Sequence, residues 1–237
     1  MQKKIVLTSI LAAVLTACGG GNNSTDTGTT TGTTTGTTTG TTTGTTASLA
    51  YTVYSPDLTT SAVTSSITTN GTTVTNSIPL TPTLNATFTT SDAGANYTWS
   101  GAAVGGGRIQ VDGNIALACT GATPQSGYAL VSANTTRVTD LTQAYGKTFT
   151  ESMCGSTGSV LTVAADGSGS NSIGDVFSAS QTSQIFSTAG LTGPGGGKYI
   201  GTFYSFNVGG TTRYFYVLQT DETSTNNGKK VSVGFQQ

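Results

Sequence analysis

The sequence predicts an all-β domain, an antiparallel barrel or sandwich of Greek-key or meander hairpins with at most one or two short helices. Three observations predict it. Helical periodicity is almost absent over residues 48–237. The same span alternates short runs of Thr, Val, Tyr, Phe and Ile with Gly, Asn and Asp, the composition of strands and tight turns. Near its end, two long aromatic-rich runs flank a Gly-Gly pair, which is a strong hairpin signal.

Taken in order, residues 51–91 are rich in Thr and Ser and poor in large apolar side chains. Asn70-Gly71, between Ser66-Ile67-Thr68 and Thr73-Val74-Thr75, predicts a two-residue turn. Pro79 and Pro82 are expected to break the run that follows. Tyr97-Thr98-Trp99 reads as a strand, and Gly105-Gly106-Gly107 as either a hinge between two domains or a bulge within one. Arg108 to Cys119 reads as a hairpin around Asp112-Gly113, and Tyr128 to Ser132 and Arg137 to Thr139 as strands. Leu141 to Tyr145 predicts a short helical turn that Asp140 can cap. Thr148 to Cys154 and Val160 to Ala164 return to strand, Asp166-Gly167 makes a turn, and a second short helix is expected around Ser180 to Ile185.

The clearest element is the hairpin of residues 198–208 and 211–220 around Gly209-Gly210. A two-residue turn pairs Val208 with Thr211, which sets Tyr204 opposite Phe215, Phe203 opposite Tyr216 and Phe206 opposite Arg213. Period two then puts Tyr204, Phe206, Phe215 and Val217 on one face and Phe203, Tyr214, Tyr216 and Leu218 on the other. Both faces are apolar, so the hairpin must be covered on both sides or belong to a closed barrel with an aromatic interior. Val231, Val233 and Phe235 alternate with Lys230, Ser232 and Gly234, the pattern of a half-buried last strand apt for closing a sheet.

The N-terminus carries a different signal. Lys3 and Lys4 precede an apolar run from Ile5 to Val14, and Leu15-Thr16-Ala17-Cys18 follows. The run suits a signal peptide and is shorter than the about 20 apolar residues of a membrane-spanning helix. In this order the motifs resemble the lipobox of bacterial lipoproteins. The resemblance covers the first twenty or so residues. It implies removal of residues 1–17, diacylation of Cys18 with palmitate-like chains, and attachment of the mature chain to a membrane through that lipid. Gly19 and Gly20 follow the cysteine in place of the aspartate that commonly retains such proteins at the inner membrane, which implies the outer membrane.

Residues 18–47 then read as the lipidated cysteine and a flexible linker. Gly28, Gly32, Gly36, Gly40 and Gly44 recur every fourth residue among threonines, and no apolar side chain is available to offset ordering entropy. As coil, the segment spans roughly 30 Å, and nearly 100 Å when stretched. It is a tether, and residues 48–237 are the domain it carries.

Loss of Lys3 and Lys4 leaves seven basic against ten acidic residues in the mature chain. No basic run interleaves with aromatics, which argues against nucleic acid as a partner. With Cys18 assigned to lipid, Cys119 and Cys154 remain as a natural disulfide pair in an oxidising compartment.

The sequence contains no histidine, which removes His-based acid–base catalysis, Ser-His and Cys-His triads and the usual zinc sites. Ser-x-x-Lys and Gly-x-Ser-x-Gly are missing, and the Gly-rich segment 193–197 contains Pro194 and lacks a phosphate-loop ending. Asp140 with Glu151, or Asp221 with Glu222, are the candidate members of a glycosidase-type carboxylate pair. Residues 166–175 have the alternating oxygens of a calcium loop, but Phe177 stands where the late glutamate is wanted. No catalytic residue, metal or cofactor is therefore assigned. Tyr204, Arg213, Tyr214 and Tyr216 are the candidate contacts for a small apolar or sugar-like ligand, although the same rings equally suit a core. The sequence thus points to a non-enzymatic envelope lipoprotein presenting a β-domain for binding or adhesion to an extracellular or periplasmic ligand. The alternatives are a lipocalin-like binder of small ligands and a carboxylate-based hydrolase.

Overall fold

The structure, a computed structural model, describes residues 45–70, 73–91, 94–100, 108–110, 114–208, 210–222 and 228–237. The predicted signal peptide, Cys18, the predicted tether up to residue 44, Gly105–Gly107 and the predicted Asp112-Gly113 turn lie outside the described residues. The described residues all fall within one compact unit, Thr42–Gln237.

The fold is all-β, mostly antiparallel, with one α-helix and a curled half-barrel sheet. Its strands in chain order are β1 (Thr45–Ala47), β2 (Ala50–Tyr54), β3 (Thr60–Thr64), β4 (Ser66–Asn70), β5 (Thr73–Thr81), β6 (Leu84–Ser91) and β7 (Gly94–Ser100). There follow β8 (Arg108–Gln110), β9 (Ile115–Cys119), β10 (Gly127–Ser132), β11 (Thr136–Arg137), β12 (Lys147–Met153) and β13 (Ser156–Val163). The last are β14 (Gly169–Asn171), β15 (Val176–Phe177), β16 (Leu191–Thr192), β17 (Lys198–Val208), β18 (Thr211–Glu222) and β19 (Gly228–Gln236). Helix α1 (Ala179–Ile185) and the 3-10 turn Leu141–Ala144 stand where the sequence predicts helix. Asp140 caps the latter by accepting from the Thr142 backbone N–H.

Three sheets form, with orders β1-β4-β5-β6-β7, β3-β2-β10-β9-β8 and β11-β17-β18-β19-β12-β13-β14-β15. The second is a middle layer, because its central strands β2, β10 and β9 are apolar on both faces. Tyr51, Val53, Ala116, Ala118 and Leu130 pack on Ile78, Leu80 and Ala86 of the first sheet. Tyr54, Ile115, Leu117, Ala129 and Val131 pack on Tyr204, Phe215, Val217, Val231 and Val233 of the third. The Cys119–Cys154 disulfide joins these last two layers at the end of β9 and the turn after β12, with Cα atoms 5.5 Å apart.

The third sheet is strongly curled. Three strand spacings separate β17 from β12, about 14 Å on a flat sheet. Yet the rings of Phe149 and Phe203 on those strands lie 5.2 Å apart, and Tyr216 meets both edge-on. Glycines make room on the concave side. A Cβ at Gly234 would stand 2.1 Å from the Tyr216 ring, and one at Gly201 2.3 Å from Phe186.

The predicted hairpin is present in the predicted register, with Val208 opposite Thr211, Tyr204 opposite Phe215 and Phe203 opposite Tyr216. Four details differ from the sequence reading. Thr45–Ala47, the end of the predicted linker, pair with β4, since backbone hydrogen bonding to a strand edge needs no apolar side chain. Asn70, predicted to stand in the first turn, is instead paired with Thr73 at the end of β4, and Gly71 lies outside the described residues. Strand β5 continues through Pro79, where a register shift takes up the missing N–H, and ends before Pro82. Strand β19 closes no sheet: it runs between β18 and β12, and its Ser232 and Gly234 are as buried as Val231 and Val233.

Candidate functional site

The concave face of the curled sheet divides along its strands. Phe149, Val163, Phe203 and Tyr216 fill one half, together with Ala144 and the half-buried Phe186. The other half is an open groove of about 540 Å³. Period two along β18 sends Tyr216, Leu218, Thr220 and Glu222 to its floor, and β12 contributes Glu151 and Met153. Helix α1 forms a wall. Seven residues are too few for a stable isolated helix. A capping box between Ser178 and Gln181 secures its first turn, and Thr182 and Ile185 face inward. The hairpin of β14 and β15, which packs beside α1, forms part of the rim, and its Ile173 and Val176 are each 76% exposed.

A bulge shapes the groove chemistry. Between the pairs Thr150–Val160 and Ser152–Thr157 the register slips by one, so residues 158 and 159 face Glu151 alone. Ser159 Oγ consequently donates to Glu151 Oε2 at 2.8 Å, and Ser232 Oγ from β19 donates to Oε1. At the other end, Lys230 Nζ lies 3.2 Å from Glu222 Oε2, and Tyr199 OH donates to Glu222 Oε1 at 3.4 Å. That is the ion pair among the described residues, so no described lysine or arginine neutralises Glu151. Asp175 accepts from Asn171 Nδ2 at 2.7 Å. Three carboxylates therefore line the groove against one ammonium. Burial, and secondarily the Glu151 charge, push the Tyr216 hydroxyl well above the ordinary tyrosine range, so it is neutral there. Burial, and after it the Glu222 charge, raise the pKa of Tyr199.

Thr220 is 2% exposed, and its Oγ1 has no hydrogen-bond partner. In the ladder it lies between Tyr199 and Lys230, and its side chain shares the groove face with Leu218 and Glu222.

The four candidate ligand contacts do not converge. Tyr204 belongs to the convex face, where its hydroxyl hydrogen-bonds that of Tyr54 inside the core. Tyr214 and Tyr216 lie on the concave face, and of the four only Tyr216 lines the groove. Arg213 is exposed opposite Phe206 as predicted, but its Nη2 donates to the Gln236 carbonyl oxygen at 3.2 Å. Among the described residues, the cation over an aromatic face is Lys147, 4.9 Å from the centre of the Tyr214 ring. The carboxylate pairs are not brought together in the groove either. Asp140 is spent on its cap, and Asp221 alternates away from Glu222. Asp166 closes its own turn on Ser168, and Asp175 bonds across its hairpin to Asn171.

A second hollow of about 580 Å³ lies by the β2–β3 turn and includes Asp57, Tyr128 and Lys229. Its carboxylate is already engaged by Ser55 and Thr59, which hold its pKa below the usual range. The groove residues that sequence reasoning missed are Thr220, Lys230, Ile173 and Val176. The signal for Thr220 was present, because the alternation Tyr216, Leu218, Thr220, Glu222 turns from apolar to polar along one face. No family model, curated protein or solved structure matches this chain.

Proposed function

We propose that this chain is a lipid-anchored protein of the bacterial outer membrane whose β-domain, carried on the Thr/Gly tether, binds a ligand in the groove without chemically altering it. Lipobox, tether and Gly19-Gly20 support the anchoring and its membrane. One observation carries the binding role: a 540 Å³ groove, more apolar than polar in its lining, with two large aliphatic side chains left exposed at its rim. The lack of histidine and of the Ser-x-x-Lys and Gly-x-Ser-x-Gly motifs supports a role without turnover.

Native mass spectrometry of the protein purified from its own envelopes tests this reading. A ligand adduct is expected on the wild type and its loss on Leu191→Trp, which fills the groove from β16. Identical spectra for the two would refute it. A second reading, adhesion to a macromolecule, is favoured by the exposure of Ile173 and Val176, which a small ligand would cover only in part. Protease treatment of whole cells separates the two. Release of the domain from intact cells supports adhesion outward, and protection until lysis removes it.

A further inference from the structure

We propose that the groove takes an elongated organic cation, its ammonium or guanidinium head at Glu151, its apolar body over Leu218, and a hydrogen-bonding group at its far end on Thr220. The inference rests on the groove being the binding site and names what that site selects.

Two independent observations carry it. The first is the Glu151 carboxylate, held in place by two serine hydroxyls and with no described cation beside it. A carboxylate held by neutral donors alone has no counter-ion beside it, and a charge-assisted hydrogen bond from a ligand is roughly twice as strong as a neutral one. The second is the Thr220 hydroxyl, buried on the groove floor without a partner. A buried polar group left unpaired costs stability, and a ligand group reaching it would recover that loss.

Register gives the length. Glu151 shares its row with Gly234 and Tyr216, and Thr220 lies four residues farther along β18. At the rise of a strand that is about 13 Å, less as side chains converge on the concave face. Between them Leu218 offers an apolar floor and Ile185 an apolar wall. The polarity of the groove sets the orientation. Lys230 stands at the Thr220 end, where it pairs with Glu222, so a second cation belongs at the Glu151 end.

The test is a titration of the purified full chain, in non-ionic detergent, followed by backbone amide chemical shifts. Four probes share one alkyl body: 8-amino-1-octanol, octane-1,8-diol, 8-hydroxyoctanoate and octylamine. The aminoalcohol is expected to saturate shifts at groove residues and to bind at least tenfold more tightly than the diol or the anion. Octylamine, which lacks the far hydroxyl, is expected to bind severalfold more weakly. Glu151→Gln should erase the preference for the aminoalcohol over the diol. Thr220→Val should erase its preference over octylamine. Should Glu151→Gln unfold, rising salt serves instead, since it should weaken the aminoalcohol and leave the diol unchanged. Equal binding of diol and aminoalcohol in the groove would overturn the cation and leave the binding site standing. Groove amides unmoved by all four probes would overturn both.

Discussion

The two faces of the β17–β18 hairpin are both aromatic in sequence and entirely different in use. The convex face meets another sheet. Tyr204, Phe215 and Val217 interlock with Tyr54, Leu117 and Val131, and the disulfide ties the layers together beside them. The concave face meets its own sheet again through the curl. Phe203 and Tyr216 find Phe149 from a distant strand and Phe186 from the end of α1, and where these rings stop the groove opens. A neighbouring sheet seals the middle of a face and leaves only its end, at Arg213, exposed. A curled sheet covers itself only as far as its side chains reach across. The convex face is therefore pure framework, and the concave face has room for a ligand.

The largest expected effect tests that contrast directly. Phe215→Ala leaves a sealed cavity between two sheets and should cost about 4–5 kcal/mol. Phe149→Ala, although equally buried, should cost about 3 kcal/mol, because the half-buried Phe186 ring at the end of a short helix can move into the space. Urea denaturation of both variants measures the difference, and equal losses would mean that the concave side is as rigid as the convex.

Next in size is the disulfide, which acts on the convex side alone. Its ends are 35 residues apart in sequence, and closing such a loop is worth about 3–4 kcal/mol on chain-entropy grounds. The double variant Cys119→Ser, Cys154→Ser should lose about that much in urea melts. Ring-edge NMR shifts of Phe149 and Phe203 should stay in place while those of Phe215 move. Equal movement on both faces would show that the two cores are one cooperative unit.

The smallest effect is alkaline. Burial raises the pKa of Tyr204 on one face and of Tyr216 on the other, whereas in the unfolded chain both titrate near 10. A raised folded-state pKa contributes stability that is complete below the unfolded value and is lost as pH rises toward the folded one. Stability should therefore be level up to about pH 9 and fall above about pH 10, by up to about 1.4 kcal/mol per pH unit for each tyrosine still protonated in the fold. Tyr216→Phe and Tyr204→Phe should each flatten this decline. A variant whose urea midpoint falls as steeply as the wild type above pH 10 would show that its tyrosine ionises without unfolding.

Much of the fold was legible because its signals are local. Alternation along β17 and β18 and the Gly-Gly turn determine register, since a slip of one residue would exchange the two faces. Asp140 declares its helical turn through capping chemistry. The groove was less legible. Glu151 attracted notice as an acid, but its serine partners come from a bulge in β13 and from β19, which is 81 residues away for Ser232. Tyr204 and Tyr216 looked alike as ligand contacts, and only the packing of different layers on the two faces separates them.

What the sequence determined by itself is the all-β class, the hairpin register, the cysteine pairing and the need to cover both faces of one hairpin. Each follows from the period of a strand, the chemistry of turns or the count of cysteines. Tertiary structure decided which face is sealed and which stays open. That choice depends on how far the sheet curls and on where Gly201 and Gly234 let rings lie flat against it. Curl is a property of many strands summed together, and no single stretch of sequence contains it.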